Sequence, residues 1–200
     1  MELPDIIEVT FKVIKVFEKL GIDYHVGGSL ASSAFGIARS TLDVDIVANI
    51  KPEQASDIYE NLREEFYVDS DMILDAIQKQ SSFNLIHLST LFKVDIFPLK
   101  NHPFEHQAFQ RRIRKPVSED GSKFLFFTTP EDIILHKLIW YKTGEEISDR
   151  QWNDVLGVLK VQGDQLDMFY LNHWAKELSV AELLKKAIEE AGIIEKTKGE

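Results

Sequence analysis

The heptapeptide Thr41-Leu42-Asp43-Val44-Asp45-Ile46-Val47 constrains the fold more than any other stretch of the chain. Side chains on a β-strand alternate between faces, so Val44 and Ile46 predict a buried face while Asp43 and Asp45 are forced together on the other. Two carboxylates held that close repel each other unless a cation lies between them, and hard oxygen donors of this kind suit Mg²⁺. A second strand, Phe92-Lys93-Val94-Asp95-Ile96-Phe97, adds a third acid in a similar setting. Upstream, Gly27-Gly28-Ser29 reads as a tight turn opening a helix, where backbone N–H groups make a site for phosphate. Metal-binding acids and a phosphate-binding turn together point to nucleotide chemistry.

The 200 residues fit one domain, or one domain with a helical appendage, and suffice to bury a sizeable core. No apolar run approaches the roughly 18 residues of a membrane span. The start, Met-Glu-Leu-Pro-Asp, lacks the basic and apolar parts of a secretion signal, so a cytoplasmic location and no membrane partner are expected. The sequence contains no cysteine, which removes disulfides, thiolate zinc sites and cysteine nucleophiles together. A formal charge of −10 disfavours long duplex nucleic acid, because that affinity comes mainly from cations neutralising phosphates. A local exception, Arg111-Arg112-Ile113-Arg114-Lys115, gathers four of the 23 basic residues in five positions. It reads either as a charged edge strand that blocks strand addition or as a contact for a polyphosphate or an RNA end.

Apolar spacing predicts a helix over residues 5–20, with Ile6, Val9, Val13, Val16, Phe17 and Leu20 on one stripe. A first strand follows over 22–26, then a short helix of small residues from Leu30 to Phe35. Pro52 opens a helix with Ile58, Leu62 and Phe66 on its buried stripe, and 71–79 adds another. Residues 82–88 and 91–99 form a hairpin around Ser89-Thr90. The stretch 98–122 looks irregular, and Lys123–Phe127 is a last strand. Thr129-Pro130-Glu131-Asp132 is a helix-start signature of N-cap hydroxyl, early proline and acids near the positive dipole end. That helix carries Ile133, Ile134, Leu138 and Trp140 and stops near Gly144; helices follow through Trp152–Leu159, 165–177 and 179–190. The tail from Glu195 to Glu200 is expected to fray. Domain organisation is then a core over 1–128 and a C-terminal helical region over 129–200. His102 and His106 alone show a metal-ligand spacing, in a segment that contains Pro103 and Phe104. His25 and His87 read as satisfied strand histidines.

The order Gly-Gly-Ser, thirteen residues, Asp-x-Asp on a strand, then a third Asp between apolar residues resembles the DNA polymerase β-like nucleotidyltransferase superfamily. The resemblance covers residues 20 to 98 well. Farther on, Pro130-Glu131-Asp132-Ile133-Ile134 with Lys137, then Arg150 and Asp154, is similar to the abortive-infection-type nucleotidyltransferase toxins and their uncharacterised relatives. The resemblance implies an α/β (α+β) fold, a mixed sheet flanked by helices with a C-terminal helical part. It also implies transfer of a nucleoside monophosphate from an NTP, ATP among them, with two Mg²⁺ or Mn²⁺ ions about 3.5–4 Å apart. On this basis Asp43, Asp45 and Asp95 are the catalytic metal ligands, and Gly28 and Ser29 bind the triphosphate.

Arg39 and Thr41, just before the acidic strand, are further candidate nucleotide contacts, and the resemblance makes Lys137 another. For Arg39 and Lys137 the alternative is a solvated surface cation. Lys93 shares the Asp95 face and either offsets carboxylate repulsion, touches substrate, or is a plain surface lysine. Arg150 and Asp154, four apart on a helix, read as a local ion pair. The acceptor is a small hydroxylated molecule, a protein hydroxyl or an RNA end, and the toxin similarity adds an antitoxin-like protein partner. The competing functions are a nucleotide-binding or interaction protein without catalysis and a metal-dependent phosphohydrolase.

Overall fold

The computed structural model describes residues 5–118 and 120–193; the chain start and the charged tail from Glu195 to Glu200 lie outside the described residues. The chain divides into two compact units, Met1–Leu30 with Ser40–Thr128, and Ala31–Arg39 with Thr129–Glu200. Among the described residues no helix is long and apolar enough to cross a membrane.

The first unit opens with α1 (Ile6–Lys19), whose N-cap Asp5 accepts from the Glu8 N–H at 2.8 Å. Val9, Val13, Ile14 and Phe17 of α1 are fully buried. Ile14 takes a core place that the sequence assigned to Val16 and Leu20, both only half-buried. Each such burial stabilises by about 1.5–3 kcal/mol. β1 (Tyr24–Val26) leads into α2 (Gly28–Phe35), which begins in the first unit and continues into the second. β2 (Asp43–Ala48), a 3-10 turn at Pro52–Gln54 and α3 (Ala55–Leu62) follow. Ile58 and Leu62 are buried on α3, but Phe66 belongs to β3 (Phe66–Tyr67), because the helix ends before it. α4 (Ser70–Lys79) is capped by Asp69, and β4 (Phe83–His87) and β5 (Lys93–Pro98) form the expected hairpin.

The stretch expected to be irregular is ordered instead. His102 accepts from the Phe104 N–H through Nδ1 at 3.3 Å and caps α5 (Pro103–Gln110); His106 Nε2 lies 3.2 Å from Asn101 Oδ1. Pro103 sits in the first turn, where its missing N–H costs nothing. β6 (Ile113–Pro116) and β7 (Phe124–Phe127) complete one mixed sheet, in the order β3-β4-β5-β2-β1-β7-β6. β6 is therefore an outermost strand. Its basic cluster is stacked and paired: the Arg112 guanidinium lies 4.7 Å from the Phe109 ring centre and donates to Asp23 at 2.9 Å, and Arg114 lies 4.0 Å over Phe124.

The second unit is helical: α6 (Pro130–Thr143), α7 (Asp149–Gln162), α8 (Met168–Glu177) and α9 (Ala181–Ala191), with residues 31–39. Thr129 caps α6 as its sequence predicts, and its hydroxyl donates to Asp132 Oδ2 at 2.6 Å. Asp132 also accepts from the Tyr170 hydroxyl at 2.6 Å, while Glu131 accepts from the Asp167 N–H at 2.9 Å. Both acids are buried acceptors tying α6 to α8, beyond their part in the helix start. Of the apolar residues that α6 carries, Trp140 is exposed. Residues 35–37 lie against α7: a Cβ at Gly36 would stand 2.8 Å from the Val158 nitrogen, and Gln162 donates to the Phe35 carbonyl at 2.6 Å.

Candidate active site

β2 and β5 show the same burial rhythm, with Val44, Ile46, Val94 and Ile96 fully excluded from water and the residues between them half-exposed. A one-residue slip would drive Asp43, Asp45 and Asp95 into the core, so the register is strongly specified. The two strands run parallel, pairing Asp43 with Lys93 and Asp45 with Asp95. On the far side of β5, Asn84 of β4 pairs with Asp95. One row across three strands thus reads Asp45, Asp95, Asn84, at the usual interstrand spacing of about 4.8 Å. Sequence reasoning missed Asn84, although the hairpin register carries the signal that finds it.

The glycine turn meets this row directly. The Gly27 N–H donates to the Asp45 carbonyl at 2.8 Å. Gly28 has φ +54°, and a Cβ there would stand 1.6 Å from Asp45 Oδ2. Ser29 follows as the second residue of α2. Thr41 donates its hydroxyl to Asp43 Oδ1 at 2.5 Å, so it clasps an acid.

Side-by-side carboxylates are destabilising without positive charge nearby. Lys93 Nζ lies 2.8 Å from Asp95 Oδ2, with the Asp95 side chain 17% exposed and that of Lys93 44%. The hydrogen bond to Asp95 raises the Lys93 pKa above its ordinary value; burial opposes this, and the charges of Asp95, Asp43 and Asp45 add to it. This ion pair puts the Lys93 charge where it offsets carboxylate repulsion. Three carboxylates from adjacent strands are a hard-oxygen donor set that fits a divalent cation in kind. Among the described residues no three acid or imidazole groups stand as a closed metal-ligand cluster, and Asp95 is engaged with Lys93.

Arg39 and Lys137 lie in the second unit, and both bind Asp154. Arg39 grips it with two bonds, Nε to Oδ1 at 2.9 Å and Nη2 to Oδ2 at 3.0 Å, and Lys137 Nζ reaches Oδ2 at 2.8 Å. The local Arg150 pair expected for Asp154 gives way to these two cations, because Asp154 faces the buried side of α7. Burial pushes the Asp154 pKa up, but the bonds from Arg39 and Lys137 outweigh it and leave it below 3.8. Lys137 is no surface lysine; its side chain is 6% exposed.

No protein-family model and no curated relative matches the sequence. Solved structures match its fold. The solution structure of the antibiotic-resistance factor ANT(2'')-Ia aligns at TM-score 0.56 and 11% identity, over 90% of this chain and 96% of that one. An antigenic nucleotidyltransferase-like protein from Paracoccidioides brasiliensis aligns at 0.51 and 16%, over 90% and 91%. The lincomycin-bound lincosamide antibiotic adenylyltransferase LnuA aligns at 0.47 and 13%, over 77% and 96%. On the first two of these likenesses, the fold of this chain is a nucleotidyltransferase fold.

Proposed function

We propose that the first unit is a metal-dependent nucleotidyltransferase that moves a nucleoside monophosphate from an NTP to an acceptor hydroxyl. The observation that carries this reading is the registered pair Asp45 and Asp95, with Asp43 two residues before and Gly28 against Asp45. Asp43, Asp45 and Asp95 would hold Mg²⁺ or Mn²⁺, which when bound supplies charge neutralisation at the triphosphate and eases deprotonation of the acceptor.

The start of α2 offers partial positive charge to the triphosphate, and Gly28, without a side chain, allows close approach. Thr41 keeps the Asp43 carboxylate in one orientation. Asp95 accepts the proton of the acceptor hydroxyl as its oxygen bonds to the α-phosphorus. The bond from that phosphorus to the oxygen bridging to the β-phosphate breaks, and pyrophosphate leaves. The acceptor is a small hydroxylated molecule, a protein hydroxyl or an RNA end. The residues of this scheme lie in the first unit; Arg39 and Lys137 pair with Asp154 in the second.

The test uses NTPs labelled at the α- or the γ-phosphate, incubated with the protein, Mg²⁺ or Mn²⁺ and cell extract. α-Label entering an acceptor with release of pyrophosphate supports the reading. Release of γ-phosphate alone makes the protein a phosphohydrolase, and NTP binding without turnover makes it a non-catalytic nucleotide binder; either result overturns it.

A further inference from the structure

We propose that Lys93 is a built-in countercation of the acidic site, which steadies the three carboxylates when no divalent ion is bound and competes with that ion for them. This rests on the reading of Asp43, Asp45 and Asp95 as cation ligands. Strand alternation puts Lys93 on the acid face, register puts it opposite Asp43, and its ammonium bonds Asp95 Oδ2 at 2.8 Å. One positive charge therefore stands among three carboxylates.

An ammonium group has only donors, so it cannot share a coordination sphere as a ligand. A divalent ion bound by either oxygen of Asp95 stands within a few ångströms of the ammonium that holds Oδ2, and the two cations repel at that distance. The Lys93 stem is flexible and the side chain 44% exposed, which gives the ammonium a way out to solvent. The arrangement keeps the site folded without metal. It also lowers the affinity for a bare ion, and so favours an ion that arrives with a polyphosphate to receive the displaced ammonium. Asp95 becomes the carboxylate whose partner changes between the two states.

The experiment is Mn²⁺ titration calorimetry without nucleotide, beside thermal unfolding in chelator, on the parent protein, Lys93→Met and Lys93→Arg. Lys93→Met should bind Mn²⁺ about tenfold or more tighter than the parent and melt lower in chelator, with the loss recovered on adding Mn²⁺. Lys93→Arg keeps the charge and should resemble the parent. A Lys93→Met protein that folds only with Mn²⁺ gives the same support. In the parent itself, acylation of Lys93 by a water-soluble reagent, read by mass spectrometry, should speed up several-fold with Mn²⁺ as the ammonium is released. Equal or weaker Mn²⁺ binding by Lys93→Met, or an unchanged acylation rate in Mn²⁺-loaded parent, overturns the inference and leaves the metal reading standing. No Mn²⁺ binding by parent or variant overturns both.

Discussion

Gly28 and Asp45 occupy adjoining space: a Cβ at position 28 would stand 1.6 Å from Asp45 Oδ2 and 2.9 Å from the Asp45 Cβ. The clash reaches the fixed Cβ as well as the rotatable carboxylate, so no rotamer of Asp45 relieves all of it. Turn and acid are one unit, joined also by the Gly27 to Asp45 backbone bond.

Gly28→Ala is therefore expected to displace Asp45 and to strain a backbone at φ +54°. The positive φ alone costs about 1–2 kcal/mol. Gly27→Ala is the control, since a Cβ there meets nothing within 4 Å. Urea unfolding with NTP titration checks the pair: Gly28→Ala should lose stability and nucleotide affinity, and equal behaviour of the two variants would show that the close approach is unimportant.

Asp43→Asn and Asp45→Asn are expected to abolish metal-dependent label transfer while the proteins stay folded, because each removes a ligand charge and relieves repulsion. Asp95→Ala should keep much of the metal-NTP affinity and lose turnover by several orders of magnitude. Calorimetry with a non-hydrolysable NTP analogue, run beside the transfer assay, separates binding from chemistry. Transfer at the parent rate in Asp95→Ala would reduce the third acid to a surface charge.

Thr41 acts on Asp43 through one hydroxyl, at 2.5 Å from Oδ1. Removing a group that orients a ligand typically costs about 10–100-fold. Thr41→Val should lower kcat in that range with little change in melting temperature, and Thr41→Ser, which keeps the hydroxyl, should restore most of it. A Thr41→Val enzyme of parent activity would make the clasp a local turn bond only.

Asp154 neutralises Lys137 in a setting where both side chains are about nine-tenths or more buried. Asp154→Asn leaves that ammonium buried without a carboxylate, and breaking such a pair costs about 3–5 kcal/mol at pH 7. The Asp154 pKa is depressed below 3.8 in the folded chain. Its contribution is thus fully present above 3.8 and is lost as pH falls through the folded value. The stability gap between parent and variant, from urea melts, should be flat from neutral pH to about pH 5 and close in acid. A gap that stays open well below the depressed value would mean the pair is not what stabilises α7.

Alternation along one strand is a local property. Val44 and Ile46 against Asp43 and Asp45, and Val94 and Ile96 against Asp95, could be read from neighbours two residues apart, since the pleat itself sends them to opposite faces. Helix caps are local too, which is why Thr129 announced α6. Within 98–122 the charged edge strand was legible in Arg111–Lys115, as one of two readings, and β6 is that strand; α5 was not legible, because its helix is one short run behind a proline.

The sequence by itself determined which side chains would face water on β2 and β5 and that a glycine turn would precede them, because period and turn chemistry act over a few bonds. Only the tertiary structure decided that Asp45 stands beside Asp95 with Asn84 beyond it, that Lys93 bonds Asp95, and that Asp154 binds Arg39, 115 residues away, rather than Arg150. Those partners are chosen by strand order and by which helix face is buried. Such choices depend on packing that closes the whole chain at once, and no window of neighbouring residues contains them.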